Sequence, residues 1–121
     1  MSNRKTILVV DDDRDARFVF GAILNYDGYH VIAADDGARG VAMAREHRPD
    51  LIVMDVNMPF VSGIEAVRLL REDEATRSIP IILVTAEELR GADRQGVATV
   101  LLKPIEPRRL MEEAQRLIGP P

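Results

Sequence analysis

Short stretches rich in Val, Ile and Leu recur along this chain at Ile7–Val10, Leu51–Met54, Ile81–Val84 and Val100–Leu102, with a weaker one at Val31–Ala34. A strand with one face in water alternates apolar and polar residues. Unbroken runs of this length therefore predict strands buried on both faces, as in a parallel sheet covered by helices. The segments between them have helical spacing. Ala16, Val19, Phe20, Ile23 and Leu24 fall on one face, and so do Leu110, Ala114, Leu117 and Ile118. A thinner face at Ala38, Val41 and Ala42 and a clearer one at Ile64, Val67 and Leu70 predict two middle helices. Asp13 suits the cap of the first helix, Gly28 follows its end, and Pro107 suits the first turn of the last. The fourth segment, within Ala86 to Gln95, is the weakest, because Gly91 interrupts it and Leu89 is its one large apolar residue. A short or mobile helix is expected there. Phe18, Tyr26 and Tyr29 read as helix packing and helix exit, whereas Phe60 falls in an exposed loop.

Five β-then-α units in 121 residues predict one α/β domain, a single doubly wound parallel sheet with helices on both faces. The chain has no cysteine, which excludes disulfides, thiolate metal sites and cysteine nucleophiles. A net charge of −4, with two tyrosines, three phenylalanines and no tryptophan, lacks the basic footprint and stacking surfaces of a nucleic-acid binder. No nucleic acid and no membrane are expected as partners, since no apolar run approaches the length of a signal core or a span. A cytoplasmic location follows as the expectation.

In an open parallel sheet, ligands bind beyond the carboxyl ends of the strands. There the first run leads into Asp11 and Asp12, the third into Asp55, the fourth into Thr85 and the fifth into Lys103. Two carboxylates about 5 Å apart repel by roughly 3 kcal/mol at an effective dielectric near 20, so three together call for a cation or a shared proton. Hard oxygen donors favour magnesium or manganese over zinc or copper. A lysine and a threonine opposite them would face a phosphoryl group, leaving one aspartate free to act as nucleophile. Asp13 and Asp15 read as a solvated loop and helix cap, and His30 and His47 as solvent-facing or C-cap residues.

The run from Ile7 to Asp12, the run from Leu51 through Asp55 to Pro59 with Gly63 four further on, the pair Thr85 and Ala86, and the pair Lys103 and Pro104 share an order and spacing. In these the sequence resembles the receiver domain of bacterial two-component response regulators, close to the chemotaxis regulator. The resemblance spans residues 1–121 and implies a flavodoxin-like strand order 2-1-3-4-5, with no output domain expected. It implies that Asp55 is phosphorylated by a sensor histidine kinase or a phosphotransfer protein. Asp12 and Asp55, with the backbone carbonyl of Asn57, would hold Mg2+ directly, and Asp11 mainly through water. Thr85, the amide of Ala86 and Lys103 would bind phosphoryl oxygens. Asn57 and Glu87 would tune hydrolysis toward a short-lived acyl phosphate, and the bond from Lys103 to Pro104 would be cis. The chain would catalyse its own phosphorylation and dephosphorylation and would not act as an enzyme on other substrates.

Two positions depart from the family pattern. Val100 stands where an aromatic usually swings inward, and Ile105 replaces another aromatic after the Lys-Pro pair. The interval from Thr85 to Gly96 is also about four residues, or one helical turn, short. Phosphorylation is expected to be intact and the output face, reading to an unidentified downstream protein, altered. A constitutive, phosphorylation-independent interaction module is the alternative. A small aspartate-nucleophile phosphatase would need a substrate pocket for which little chain remains. A nucleotide site would need glycines where Asp11, Asp12 and Asp13 stand.

Overall fold

The structure, a computed structural model, describes residues 4–121. Its elements are β1 (Thr6–Val10), α1 (Arg14–Tyr26), β2 (His30–Ala34), α2 (Gly37–His47), β3 (Leu51–Asp55), α3 (Gly63–Glu72), β4 (Ile81–Thr85), a 3-10 turn (Gly91–Arg94), β5 (Thr99–Leu102) and α4 (Pro107–Ile118). All strand pairs are parallel and the order is β2-β1-β3-β4-β5, as the resemblance implied.

The unbroken apolar runs divide by alternation into two cores. Ile7, Val9, Leu51, Val53, Ile82 and Val84 pack with Leu24 of α1 and with Leu110 and Ala114 of α4. Leu8, Val10, Ile52, Met54, Ile81 and Leu83 pack with Val41 and Ala44 of α2 and with Ala66, Val67 and Leu70 of α3. Full burial of each large aliphatic side chain stabilises the fold by roughly 1.5–3 kcal/mol. The caps follow the sequence. The Asp13 side chain accepts from the Asp15 amide, and Pro107 occupies the first turn of α4.

Two expectations are corrected. The face of α2 is carried by Gly37, Gly40, Val41 and Ala44, while Ala38 and Ala42 are exposed. The helix lies so close to the sheet that a Cβ on Gly40 would sit 2.9 Å from both Val10 methyl carbons, and hydrophobic periodicity does not register a glycine in contact. In α1, Val19, Phe18 and Tyr26 are exposed, because the stripe that meets the sheet is narrow and its fully buried members are Gly21 and Leu24. Tyr29, by contrast, is wholly buried, and its hydroxyl donates to the Gly119 carbonyl at 2.5 Å. The fourth helix is short, as expected, a single 3-10 turn. Gly91 and Gly96, at φ 60° and 79°, place left-handed residues at its start and just past its end, so α-helix cannot propagate through either. Among the described residues no helix is long and apolar enough to cross a membrane.

Candidate functional site

The strand order reverses between β1 and β3, which opens a crevice at their carboxyl ends. Asp55 is the last residue of β3 and is buried at 5% exposure. Its neighbourhood is fixed by backbone bonds from the Val56 amide to the Val84 carbonyl (3.0 Å) and from the Gly63 amide to the Val56 carbonyl (2.9 Å). Gly63 starts α3 directly against this strand end. A Cβ there would lie 2.4 Å from the Asp55 carbonyl oxygen and 2.9 Å from the Val56 Cα, so no side chain fits. Ser62 caps α3, its hydroxyl accepting from the Glu65 amide at 3.2 Å.

Asp11 follows β1 and is 1% exposed. Its amide donates to the Ala34 carbonyl at 3.2 Å, its Oδ1 accepts from the Asp13 amide at 2.9 Å, and its carbonyl accepts from the Arg17 guanidinium at 2.8 Å. Asp12 beside it is exposed, yet one carboxylate oxygen from each of Asp11, Asp12 and Asp55 lies within 4.8 Å of the others. Asp11 Oδ2 is buried with no hydrogen-bond partner, and Asp55 Oδ1 is buried with the Lys103 ammonium beside it. Desolvation pushes the Asp11 carboxyl up to about 6. The Asp13 amide and the Lys103 charge oppose the rise, and the Asp55 and Asp12 charges add to it.

Opposite the carboxylates, the Lys103 ammonium stands 3.1 Å from Asp55 Oδ1. Partial burial draws its pKa down, but hydrogen bonding and charge from Asp55, with the Asp11 and Asp13 charges, outweigh this and leave it raised. Lys103 is held by its amide, which donates to the Thr85 carbonyl at 2.8 Å, and the following bond to Pro104 is cis. Thr85 is buried at the end of β4, where its Oγ1 accepts from the Glu87 amide at 3.1 Å. That bond leaves its own O–H free to donate.

The crevice thus groups Asp11, Asp12 and Asp55 with Lys103, and Thr85 ends the neighbouring strand β4. Asn57, Ala86 and Glu87 lie exposed in the loops after β3 and β4. Among the described residues no side-chain bond joins these three to the carboxylates. Sequence reading missed Arg17, whose bond runs from one turn into α1 back to the strand end, and the part of Asp13 played by its amide. An orphaned buried Asp11 oxygen amid three clustered acidic groups fits a hard divalent cation, which would satisfy it and offset the repulsion that Lys103 alone relieves only in part. A separate cleft of about 700 Å³ lies between α3 and the 3-10 turn, lined in part by Ile64, Val67, Arg71, Ala92 and Gly96. It opens beside the short fourth helix, and none of the three carboxylates lines it.

Comparison with known proteins places these features in context. The sequence profile of the response regulator receiver domain matches residues 7–115. The polar-differentiation response regulator DivK of Brucella anthropi is 34% identical over 119 residues, spanning 95% of this chain and 97% of that protein. Among solved structures, the chemotaxis protein CheY4 of Vibrio cholerae superposes with a TM-score of 0.86 at 32% identity, over 94% of this chain and 98% of its own. The receiver domain of a Pseudomonas aeruginosa sensor histidine kinase, solved with a magnesium ion coordinated in its active site cleft, superposes with a TM-score of 0.89 at 35% identity, over 96% and 98%.

Proposed function

This chain belongs to the response regulator receiver domain family of two-component signalling, and from that premise we propose that Asp55 is its phosphoacceptor. The donor would be a phosphohistidine on a sensor histidine kinase or a phosphotransfer protein. A carboxylate oxygen of Asp55 attacks phosphorus; an O–P bond forms as the P–N bond breaks, and the leaving imidazole nitrogen keeps the bond pair and takes up a proton. Asp11, Asp12, Asp55 and the Asn57 carbonyl would hold Mg2+, whose charge, when it is bound, offsets that of the carboxylates and the phosphoryl oxygens.

The chain's own residues do the rest. Lys103, already 3.1 Å from Asp55, follows the transferred charge onto a phosphoryl oxygen. Thr85 turns its free O–H to another, and the Ala86 amide serves a third. Burial of Asp55 limits the access of water to the acyl phosphate, and the exposed Asn57 and Glu87 would tune its hydrolysis. Catalysis in this reading stops at the chain's own phosphorylation and dephosphorylation, and the output is binding to a downstream protein in the cytoplasm.

The observation that carries the reading is the buried Asp55, paired with Lys103 and clustered with Asp11 and Asp12. Fluorine NMR with beryllofluoride and Mg2+ tests it. Bound fluoride resonances are expected with the wild-type protein and none with Asp55→Asn or with a chelator. A folded wild-type protein that shows no bound resonance contradicts it.

A second reading, a constitutive interaction module, draws on Val100 and the reduced fourth helix. Val100 packs partly buried against the α2–α3 core and has no ring to reorient. Equal affinity for the downstream protein with and without beryllofluoride would establish it, and a shift of tenfold or so would exclude it.

A further inference from the structure

Phe60 combines two features that fold stability does not explain. Its side chain is fully exposed, at 100%, and its φ is 67°, in the left-handed region where a bulky L-residue is strained and glycine is not. The exposed ring gives nothing back in packing. The backbone around it is nevertheless closely held. The Val61 amide donates to the Pro59 carbonyl at 2.8 Å, Val61 packs against the α2–α3 core, and the Val61 carbonyl lies where a Cβ on Gly37 would be 2.4 Å away. The Gly63 amide closes the loop onto the Val56 carbonyl at 2.9 Å. A fixed, strained turn therefore presents an aromatic ring to solvent five residues beyond Asp55, in the loop that leaves the same strand end.

We propose that Phe60 is a recognition residue for the protein that phosphorylates Asp55, its ring entering an apolar pocket beside the donor histidine. The inference rests on Asp55 being the phosphoacceptor. A protein that delivers a histidine-bound phosphoryl group to Asp55 must bring that histidine to the carboxyl end of β3, from which the loop carrying Phe60 leaves, whereas a small donor such as acetyl phosphate presents no surface to the ring. Aromatic rings dominate protein contacts because they bury large apolar area with few rotatable bonds, and a pre-formed loop reduces the ordering cost of binding.

The test uses the full chain as wild type, Phe60→Asn and Phe60→Tyr. Each histidine-kinase core encoded in the source genome is autophosphorylated with labelled ATP, and the core that transfers fastest to wild type is carried forward. Phe60→Asn is expected to lower kcat/KM for transfer by roughly tenfold or more through KM, and Phe60→Tyr to retain it. Labelling of all three proteins by acetyl phosphate, which bypasses the partner, is expected to agree within about twofold, and Phe60→Asn is expected to melt at or above the wild-type temperature. Wild-type transfer kinetics in Phe60→Asn overturn the proposal, as does a lower melting temperature, which would make the ring a structural element. If acetyl phosphate labels Asp55 but no kinase core transfers to wild type, the donor-recognition role fails while the phosphoacceptor reading stands. If acetyl phosphate does not label the folded wild type, it is the phosphoacceptor reading that has failed.

Discussion

Asp11 shows how a single buried carboxylate is shaped by its neighbours. One oxygen bonds the Asp13 amide, the other has no partner, and burial beside Asp55 and Asp12 holds the group's pKa near 6. Because this value lies above that of an unfolded aspartate, the ionised form opposes folding. The penalty is fully present above about pH 6 and fades as the pH falls toward 4. Asp11→Asn is therefore expected to stabilise the metal-free protein at pH 7 by about 1–3 kcal/mol and to lose most of that advantage by pH 4.5. Urea denaturation with chelator at the two pH values measures the difference, and an Asp11→Asn protein less stable than wild type at pH 7 contradicts the account. Asp11, Asp12, Asp55, Thr85 and Lys103 were legible in the sequence because each ends or directly follows an apolar run, so strand burial itself points to them. Arg17 was not, since a long side chain reaching back to a carbonyl leaves no periodic trace. Phe18 and Val19 misled because an apolar residue on a helix is no statement of which stripe meets the sheet.

Elements dock onto this sheet through contacts that hydrophobicity alone does not reveal. Gly63 admits the start of α3 against the Asp55 carbonyl, and Gly63→Ala is expected to cost about 2–4 kcal/mol and to displace the Asp55 strand end. A lowered denaturation midpoint with weakened Mg2+ binding would confirm this; wild-type values for both would refute it. At the other end of the chain, the buried Glu113 of α4 accepts from Thr99 Oγ1 of β5 at 2.8 Å and from the Arg116 guanidinium at 2.8 Å, with Arg109 at 3.0 Å. The Arg116 hydrogen bond, the Thr99 hydrogen bond and the two arginine charges hold its pKa below the ordinary value against the opposing effect of burial. Its contribution is thus present above the unfolded value and is lost as the pH falls through the lower, folded value. Glu113→Gln is expected to lower stability at pH 7 by about 1–3 kcal/mol, with the deficit shrinking in acid, as thermal melts across pH 3 to 7 would show. In the sequence Glu113 is one more charge on an amphipathic helix with arginines at helical spacing, and only the fold brings Thr99 of the edge strand to it as well. The fourth helix is the converse case: its weakness was visible in Gly91 and in the scarcity of apolar residues. Its reduction to a 3-10 turn depended as well on the left-handed Gly96.

At the scale of the whole molecule, the parallel sheet was readable because strands buried on both faces need unbroken apolar runs, and the reversal of strand order then places the ends of β1 and β3 side by side. The family pattern adds the names of the roles, and the structure adds the pairing of Lys103 with Asp55 and the unsatisfied Asp11 oxygen. The same frame leaves the far side changed, with Val100 in place of a ring and a cleft between α3 and the short fourth helix. The central claim is that the carboxyl end of this sheet forms an aspartyl phosphate at Asp55 with the help of a divalent cation. Intact mass after acetyl phosphate and Mg2+, read beside Asp55→Asn and a chelated control, tests it most directly. One added phosphoryl group, absent from both controls, is the predicted result; a folded, Mg2+-binding wild-type protein of unchanged mass would contradict it.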